Sequence, residues 1–314
     1  MAYAHTGFRG RLLKKFRQGS SGVLMAYLHV HKAMGSSFCQ LARANIPSNR
    51  MPYDIVACRA SWSQAALTDS SVARKLICPY SELNRIRVHD LPRRYHGLSF
   101  ISAEGAMPTT IPERAPVIFV TTLRHPLRRL ISSYLWWREQ PWARKPDVVC
   151  HGYLHDTPLR NLPAVAWLGH VPDNFMARSL CGLQYLARDG AQYQISEMGL
   201  SRCAIKRLAT FAAVTIVEYP KESARLLAAR FGWANFGDIF REKGKRTNEW
   251  STAQLPHRFK NATLHQIAWL EAHGNATLAA DYRLYARAVT QLLKFSFVRP
   301  GRTLASDVWM TRSM

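Results

Sequence analysis

The sequence predicts an α/β fold with a central, mainly parallel sheet that is covered by helices. Two observations lead to this prediction. Short, continuous apolar segments alternate along the chain with longer segments of helical character, which is the pattern of repeated strand–helix units. The clearest apolar segment, residues 115–123 (APVIFVTTL), carries a β-branched run without polar alternation, as expected of a strand that is buried on both faces.

The predicted strands share a short apolar run that ends in turn or polar residues. They cover residues 23–30, 53–58, 96–105, 115–123 and 212–219. Ligands of parallel sheets bind outside the carboxyl ends of the strands. The residues that follow 23–30 and 115–123 are therefore the first candidates for a functional site.

Helices are predicted between these strands. Ser36 and Ser37 open the first, and Pro126 and Pro220 stand at the start of two others, where a missing N–H has no cost. Further helical segments cover residues 62–76, 172–182, 196–211 and 261–294. The stretch 139–163 is rich in Pro and His and is predicted to be a long loop, a feature that is often functional in compact domains.

One domain is expected, because no Pro/Gly/Ser-rich linker divides the 314 residues. The predicted organisation is a basic N-terminal arm over 1–22, the domain over 23–298 and a C-terminal tail over 299–314. The arm is expected to be a solvated helix or a disordered segment, with peripheral contact to an anionic membrane as the alternative. No apolar run approaches the roughly 18 residues of a membrane span, so the chain as written is expected to be soluble.

The formal net charge of +23 predicts a polyanionic partner, such as an acidic glycan, an anionic lipid, a nucleic acid or a multiply charged nucleotide. Nucleic acid is not expected, because the basic residues are spread throughout and form no known binding motif. A metal site is not expected either, since the sequence has no CxxC, HxxxH or HExxH pattern. The six cysteines permit disulfides in an oxidising compartment, and core thiols are the alternative.

The first candidate loop lies in HVHKAMGSSF, residues 29–38. A strand-to-helix turn presents free backbone N–H groups and the positive end of a helix dipole to an anion. The small residues Gly35, Ser36 and Ser37 allow close approach, and Lys32 can place an ammonium where negative charge develops. Taken alone, an ordinary tight turn with an exposed lysine explains the loop equally well.

The second candidate loop begins at Arg124, immediately after the clearest strand. Its guanidinium can bind a phosphate as a bidentate donor. Ser132 and Ser133 follow about two helical turns later and can offer a hydroxyl to the same group. The alternative is a solvated basic helix start formed with Arg128 and Arg129.

Together the two loops resemble those of the sulfotransferases that use 3′-phosphoadenosine 5′-phosphosulfate (PAPS). In that family a lysine precedes a Gly/Ser cluster after a strand, as in LHVHKAMGSSF. A second strand then leads to Arg-x-Pro and a serine eight residues after the arginine, as in TTLRHPLRRLISSY. The closest branch is that of the Golgi carbohydrate sulfotransferases of the galactose 3-O and heparan sulfate 2-O type. Looser similarity extends over residues 23–293 and includes VEYPKESARLLAARFGW and DYRLYARA.

The resemblance implies a three-layer fold of the P-loop-NTPase type and transfer of a sulfuryl group from PAPS to an acceptor hydroxyl or amine. The product would be adenosine 3′,5′-bisphosphate, and no metal would be required. Lys32 would stabilise the bridging oxygen of the leaving phosphate, and Arg124 and Ser132 would hold the 3′-phosphate. The backbone that would cradle the 5′-phosphate comprises Gly35, Ser36, Ser37 and Phe38. The basic loop REKGKRTNEW could close over the nucleotide through Lys245 or Arg246, or be a merely exposed turn.

The resemblance also calls for a general base near the end of a middle strand. Glu104 is the first candidate, because acidic residues are scarce and it lies at the exit of an apolar strand. His96 is the rival, although the second histidine of its family context is Leu98 here. A surface glutamate is the remaining interpretation. His29 and His31 are expected to be structural or to line the substrate site.

The expected acceptor is a glycan or polysaccharide, which could itself be acidic. The Golgi lumen follows from the resemblance, and the cytoplasm is the alternative. The oligomeric state is left open. Two other functions are weighed, a P-loop-like nucleotide kinase and a basic, non-catalytic polyanion-binding protein. The kinase would need GxxxxGK[ST] and a carboxylate for magnesium, and neither pattern is evident.

Overall fold

The structure is a computed structural model that describes residues 3–20, 22–30, 32–51, 97–104, 107, 116–139, 162–182, 194–236 and 257–297. Its strands are β1 (Leu24–His29), β2 (Phe100–Glu104), β3 (Val117–Leu123) and β4 (Ala213–Ile216). They form one sheet in the order β2-β1-β3-β4, and each neighbouring pair is parallel. The predicted α/β class with a parallel central sheet is confirmed. The predicted strand 53–58 lies outside the described residues.

Helices connect and cover these strands. They are α1 (Tyr3–Arg17), α2 (Gly35–Asn45), α3 (Pro126–Glu139), α4 (Ala164–His170), α5 (Phe175–Cys181), α6 (Glu197–Leu208), α7 (Pro220–Phe231), α8 (His257–His273) and α9 (Ala279–Phe297), with short 3-10 helices at Ser48–Arg50 and Gly274–Thr277. Prolines begin α3 and α7, as predicted. The predicted helix 62–76 and nearly all of the predicted loop 139–163 fall outside the described part of the chain.

The centre of the sheet is buried on both faces, and every residue of β1 and β3 is buried. This explains why these strands are continuous apolar runs in the sequence. Three hydroxyls of neighbouring strands are hydrogen-bonded in a row inside the core. The Tyr27 hydroxyl lies 3.0 Å from Oγ1 of Thr122, which in turn lies 2.7 Å from Oγ1 of Thr215. These contacts join β1, β3 and β4 and satisfy the buried hydroxyls of Tyr27, Thr122 and Thr215.

Part of the predicted N-terminal arm forms α1, and this helix packs on the domain. Leu12 is buried in the main core, and the Phe16 ring meets that of Phe231 edge-on, with 5.8 Å between centroids. Arg17 donates through Nε to the Arg230 carbonyl at 2.8 Å and through a second nitrogen to the Ala229 carbonyl. It therefore supplies donors to the last carbonyls of α7, as basic residues commonly do at helix C-termini.

Two helix starts that are far apart in sequence cap each other. Oδ1 of Asn174 accepts the N–H groups of Ala280 and Asp281 at 2.8 and 3.1 Å. In turn, the Asp281 carboxylate accepts the N–H groups of Met176 and Ala177, at the start of α5, at 3.2 and 2.7 Å. Each side chain thus satisfies donors that a helix cannot pair internally. The starts of α5 and α9 are held together by these four bonds.

A disulfide between Cys181 and Cys203 joins α5 to α6, with 5.9 Å between their Cα atoms. Cys39 on α2 is also disulfide-bonded. The three cysteines of the described residues are therefore oxidised, and the alternative of core thiols does not apply to them. Among the helices that the structure describes, none is long and apolar enough to cross a bilayer.

Candidate functional site

The two predicted loops meet at one place on the carboxyl edge of the sheet. Lys32 follows β1, Arg124 follows β3, and these strands are neighbours. From β1 the chain first adds β2 on one side, and it then adds β3 and β4 on the other side of β1. The strand order therefore reverses between β1 and β3. Such a reversal opens a crevice that is the usual ligand site of parallel α/β sheets. Nη1 of Arg124 donates to the Lys32 carbonyl at 3.3 Å and ties the loops together.

The β1–α2 loop has an unusual backbone. Lys32 and Met34 both have left-handed conformations, with φ of 67° and 63°. Each such residue costs roughly 1 kcal/mol unless it is glycine. Loops that alternate between right- and left-handed residues turn successive N–H groups towards a common point and form anion-binding concavities. The backbone conformation is consistent with the anion site that the sequence predicts here.

The first turn of α2 supplies the backbone donors of this concavity. The Phe38 N–H already donates to the Met34 carbonyl at 2.9 Å, which is the first bond of the helix. The preceding N–H groups, those of Gly35, Ser36 and Ser37, lack an intrahelical acceptor by position. Phe38, the fourth residue of the predicted cradle, differs from these three because its N–H is already paired within the helix. Its ring also has a packing role, since it is stacked on Tyr27 with 4.1 Å between centroids and 2° between planes.

Gly35 is required by the close approach of α2 to β1. A Cβ atom at this position would lie 1.8 Å from Nε2 of His29. His29 is the last residue of β1 and its side chain is 8% exposed. The His29 ring therefore packs directly against the start of α2. This agrees with the structural role expected for His29, while His31 lies outside the described residues.

Arg124 is a buried cation that makes no direct ion pair in the described part of the chain. Its side chain is 6% exposed, its Nε has no hydrogen-bond partner, and the ion pairs found there involve other residues. Burial lowers the pKa of its guanidinium, while the charge of Glu218 opposes the shift. Arginine remains protonated in proteins. A buried guanidinium in this state provides donors and positive charge for an anionic ligand.

The adjoining helix α3 places an aromatic ring and a serine beside the same loop. Nζ of Lys32 lies 5.1 Å from the ring centroid of Trp136, within the range of a cation–π interaction. Ser132 is buried and precedes Trp136 by one helical turn, so both lie on one face of α3. The structure thus brings Lys32, Arg124 and the face of α3 that carries Ser132 to one crevice. Sequence reasoning overlooked Trp136, although its spacing from Ser132 was a usable signal.

A carboxylate that sequence reasoning also overlooked lies beside Arg124. Glu218 follows β4, and its Oε1 accepts the N–H of His125 at 3.0 Å while its Oε2 accepts the hydroxyl of Tyr285 at 3.0 Å. The ring of His125 is packed edge-on against Tyr282 and Tyr285, with centroid distances of 5.4 and 5.7 Å. Burial lowers the pKa of this imidazole. The sequence did contain a signal for Glu218, because this carboxylate comes just after an apolar strand, much as Glu104 stands at the end of one.

The remaining predicted residues are placed only in part. Glu104 is the last residue of β2 and is paired in register with His29 of β1, which puts its backbone at the carboxyl edge near the crevice. His96, Lys245 and Arg246 lie outside the described residues. No group of three or more potential metal ligands occurs among the residues that the structure describes.

The described residues thus place possible anion donors at two neighbouring positions on this edge of the sheet, one at the α2 N-terminus with Lys32 and one at Arg124 beside α3. No protein-family model matches the chain, and no curated protein matches it.

Proposed function

We propose that the chain is a sulfotransferase that moves the sulfuryl group of PAPS to a hydroxyl or amine of a carbohydrate acceptor. The observation that carries the proposal is the buried guanidinium of Arg124, which makes no direct ion pair among the described residues and is hydrogen-bonded to the carbonyl of Lys32. Two anion-binding features of different design therefore share one crevice. A donor with a phosphosulfate at one end and a 3′-phosphate at the other fits this division.

In this proposal Arg124 and Ser132 bind the 3′-phosphate. A planar guanidinium offers parallel N–H groups to two phosphate oxygens. Because Arg124 is buried, a nucleotide that lacks the 3′-phosphate would leave a desolvated cation unpaired. The site would therefore select adenosine 3′,5′-bisphosphate over adenosine 5′-monophosphate.

The backbone N–H groups of Gly35, Ser36 and Ser37 bind the 5′-phosphate, and Lys32 acts on the oxygen that links it to the sulfur. In the transfer step the acceptor oxygen forms a bond to sulfur as the bond from sulfur to the bridging oxygen breaks. The leaving phosphate gains negative charge, which the Lys32 ammonium stabilises. The acceptor proton passes to a general base, for which Glu104 and His96 remain the candidates. Positioning and charge supply most of the acceleration in such in-line transfers.

The acceptor class is proposed from charge. The net charge of +23 exceeds what a donor nucleotide requires and suits an acceptor that is itself acidic, such as a uronic-acid or sulfated polysaccharide. The disulfides at Cys181, Cys203 and Cys39 are typical of an oxidising compartment. They support the Golgi lumen over the cytoplasm as the proposed location.

Ligand titration in a thermal-shift assay tests the donor site. Adenosine 3′,5′-bisphosphate is expected to stabilise the protein at concentrations at least tenfold below those needed for adenosine 5′-monophosphate or ATP. Arg124→Lys should remove most of this preference, because an ammonium cannot reproduce a bidentate guanidinium contact. The matched control is Arg128→Lys, since Arg128 is exposed on the first turn of α3. Equal stabilisation by the three nucleotides would refute the donor assignment, and a preference for magnesium–ATP would favour a kinase.

Transfer of labelled sulfate from PAPS to a panel of polysaccharides then tests the reaction itself. Glu104→Gln is expected to abolish transfer without weakening nucleotide binding. Full activity of that variant would assign the general base elsewhere. Tight binding of polysaccharide without any transfer would favour a non-catalytic polyanion-binding protein.

A further inference from the structure

The carboxylate of Glu218 lies where it could compete with an anionic ligand for Arg124. It lies at the carboxyl edge of the sheet and bonds the N–H of His125, the residue that directly follows Arg124. A carboxylate is the natural partner of a buried guanidinium and can form two parallel hydrogen bonds with it. If Glu218 turned to Arg124, it would fill the place that a phosphate must take.

Glu218 is nevertheless held in another direction. One of its oxygens accepts the His125 N–H at 3.0 Å and the other accepts the Tyr285 hydroxyl at 3.0 Å. The two donors come from the β3–α3 turn and from α9, so both oxygens are bound by different elements. No ion pair between Glu218 and Arg124 occurs in the described part of the chain.

We propose that Tyr285 is a positioning residue that keeps Glu218 away from Arg124, so that the guanidinium stays open to the phosphate of a ligand. The identity of that ligand as a 3′-phosphorylated nucleotide rests on the proposed function. The restraint itself concerns any phosphate that binds at Arg124.

The surroundings of Tyr285 suit this role. Its ring is packed against the edge of His125, which fixes the direction of the hydroxyl. Burial and the neighbouring Glu218 raise the pKa of Tyr285, so the hydroxyl remains a donor throughout the physiological range. Glu218 is close enough for its charge to raise the pKa of Arg124. The carboxylate therefore steadies the cation electrostatically without occupying its hydrogen-bond donors.

The test uses the intact chain and four variants. Tyr285→Phe removes the hydroxyl and keeps the ring against His125, Glu218→Gln removes the charge, and the double variant removes both. The matched control is Tyr282→Phe, because Tyr282 packs on the same histidine but its hydroxyl bonds Asn275 at 2.7 Å. Dissociation constants are measured by calorimetry for adenosine 3′,5′-bisphosphate, adenosine 5′-monophosphate and inorganic phosphate.

We expect Tyr285→Phe to weaken binding of the bisphosphate by about 5- to 30-fold, in line with a factor of ten per 1.4 kcal/mol, and to leave the monophosphate within about twofold. Adding Glu218→Gln should restore the bisphosphate affinity, because the released group then carries no charge. Tyr282→Phe should bind as the unsubstituted chain does. This rescue separates a positioning role from a purely structural one, since a packing defect would not be repaired by a second substitution.

Two results would overturn the inference: unchanged bisphosphate affinity in Tyr285→Phe, or a loss that Glu218→Gln does not restore. If the unsubstituted chain binds inorganic phosphate but does not prefer the bisphosphate, the proposed function fails. In that case the affinities of the same variants for inorganic phosphate test the inference about Tyr285. Absence of binding to all three ligands would overturn both proposals.

Discussion

Replacing Gly35 with alanine would place a methyl group inside the ring of His29. The added Cβ would lie 1.8 Å from Nε2 and 2.1 Å from both Cδ2 and Cε1. An ordinary contact starts near 3.4 Å, so either the imidazole or the start of α2 must move by about 1.6 Å, the difference between these distances. The ring has little room, since it is 8% exposed and lies beside Tyr27, with 6.1 Å between ring centroids.

Overpacking of this kind typically costs about 1–3 kcal/mol. The higher helix propensity of alanine offsets at most about 1 kcal/mol of it. Gly35→Ala should therefore lower the free energy of unfolding by roughly 1–2 kcal/mol. Gly10→Ala is the matched control, because a Cβ at Gly10 in α1 meets nothing within 4 Å. That substitution should raise the free energy of unfolding by about 0.5–1 kcal/mol.

Urea unfolding of both variants measures these changes, and nucleotide titration reports on the loop. Under the proposed function, a shift of more than 1 Å at the first turn of α2 should weaken binding of adenosine 3′,5′-bisphosphate at least tenfold, because such binding depends on the positions of the backbone donors. The double variant with His29→Ala provides the internal check, since removing the ring removes the clash. A coupling energy of at least about 1 kcal/mol is expected between the two substitutions. If Gly35→Ala behaves like Gly10→Ala, or if the coupling is near zero, the reasoning is refuted.

Two further predictions concern the reciprocal caps. Burial raises the pKa of Asp281 to about 6 from 3.8, so between these values the folded chain holds a proton that the unfolded chain has lost. Stability should therefore fall by up to about 3 kcal/mol as the pH rises from 4 to 6. Asp281→Asn should lack this slope in urea unfolding, and parallel pH profiles for the two proteins would contradict the assignment. Asn174 has a left-handed backbone with φ of 45°, so Asn174→Ala loses the cap and adds strain, for a total of about 2–3 kcal/mol. Asn174→Gly keeps the conformation accessible and should be about 1 kcal/mol more stable than the alanine variant, the reverse of their order in an ordinary helix.

Much of the crevice beside Lys32 and Arg124 could be predicted from the sequence because the decisive signals are local. A strand buried on both faces is a continuous apolar run, as over residues 115–123, and parallel strands bring their carboxyl ends to one edge. These two rules place Lys32 near Arg124, and the structure joins them by a hydrogen bond.

Other parts of the site depend on tertiary contacts that no local sequence pattern indicates. Glu218 and Tyr285 are 67 residues apart, and nothing in either neighbourhood indicates that one hydroxyl meets one carboxylate. The contact of His29 with Gly35 is closer in sequence, yet it depends on the angle at which α2 leaves the sheet. The packing of α1 through Leu12 also depends on a tertiary contact. It was not predicted, because basic residues dominate the composition of that segment.

The part played by α9 has a consequence for the order in which the protein becomes competent during synthesis. Asp281 lies 105 residues after Met176, one of its two donors in α5, and Tyr285 lies 67 residues after Glu218. At roughly 5–20 residues per second, a ribosome needs about 3–13 s to reach Tyr285 after it has made Glu218. During that interval the nascent chain contains Lys32, Arg124 and Glu218 but lacks the hydroxyl of Tyr285. If Tyr285 has the positioning role that we propose, Glu218 of such a nascent chain would pair with Arg124, and the guanidinium would become available to a phosphate only when α9 docks.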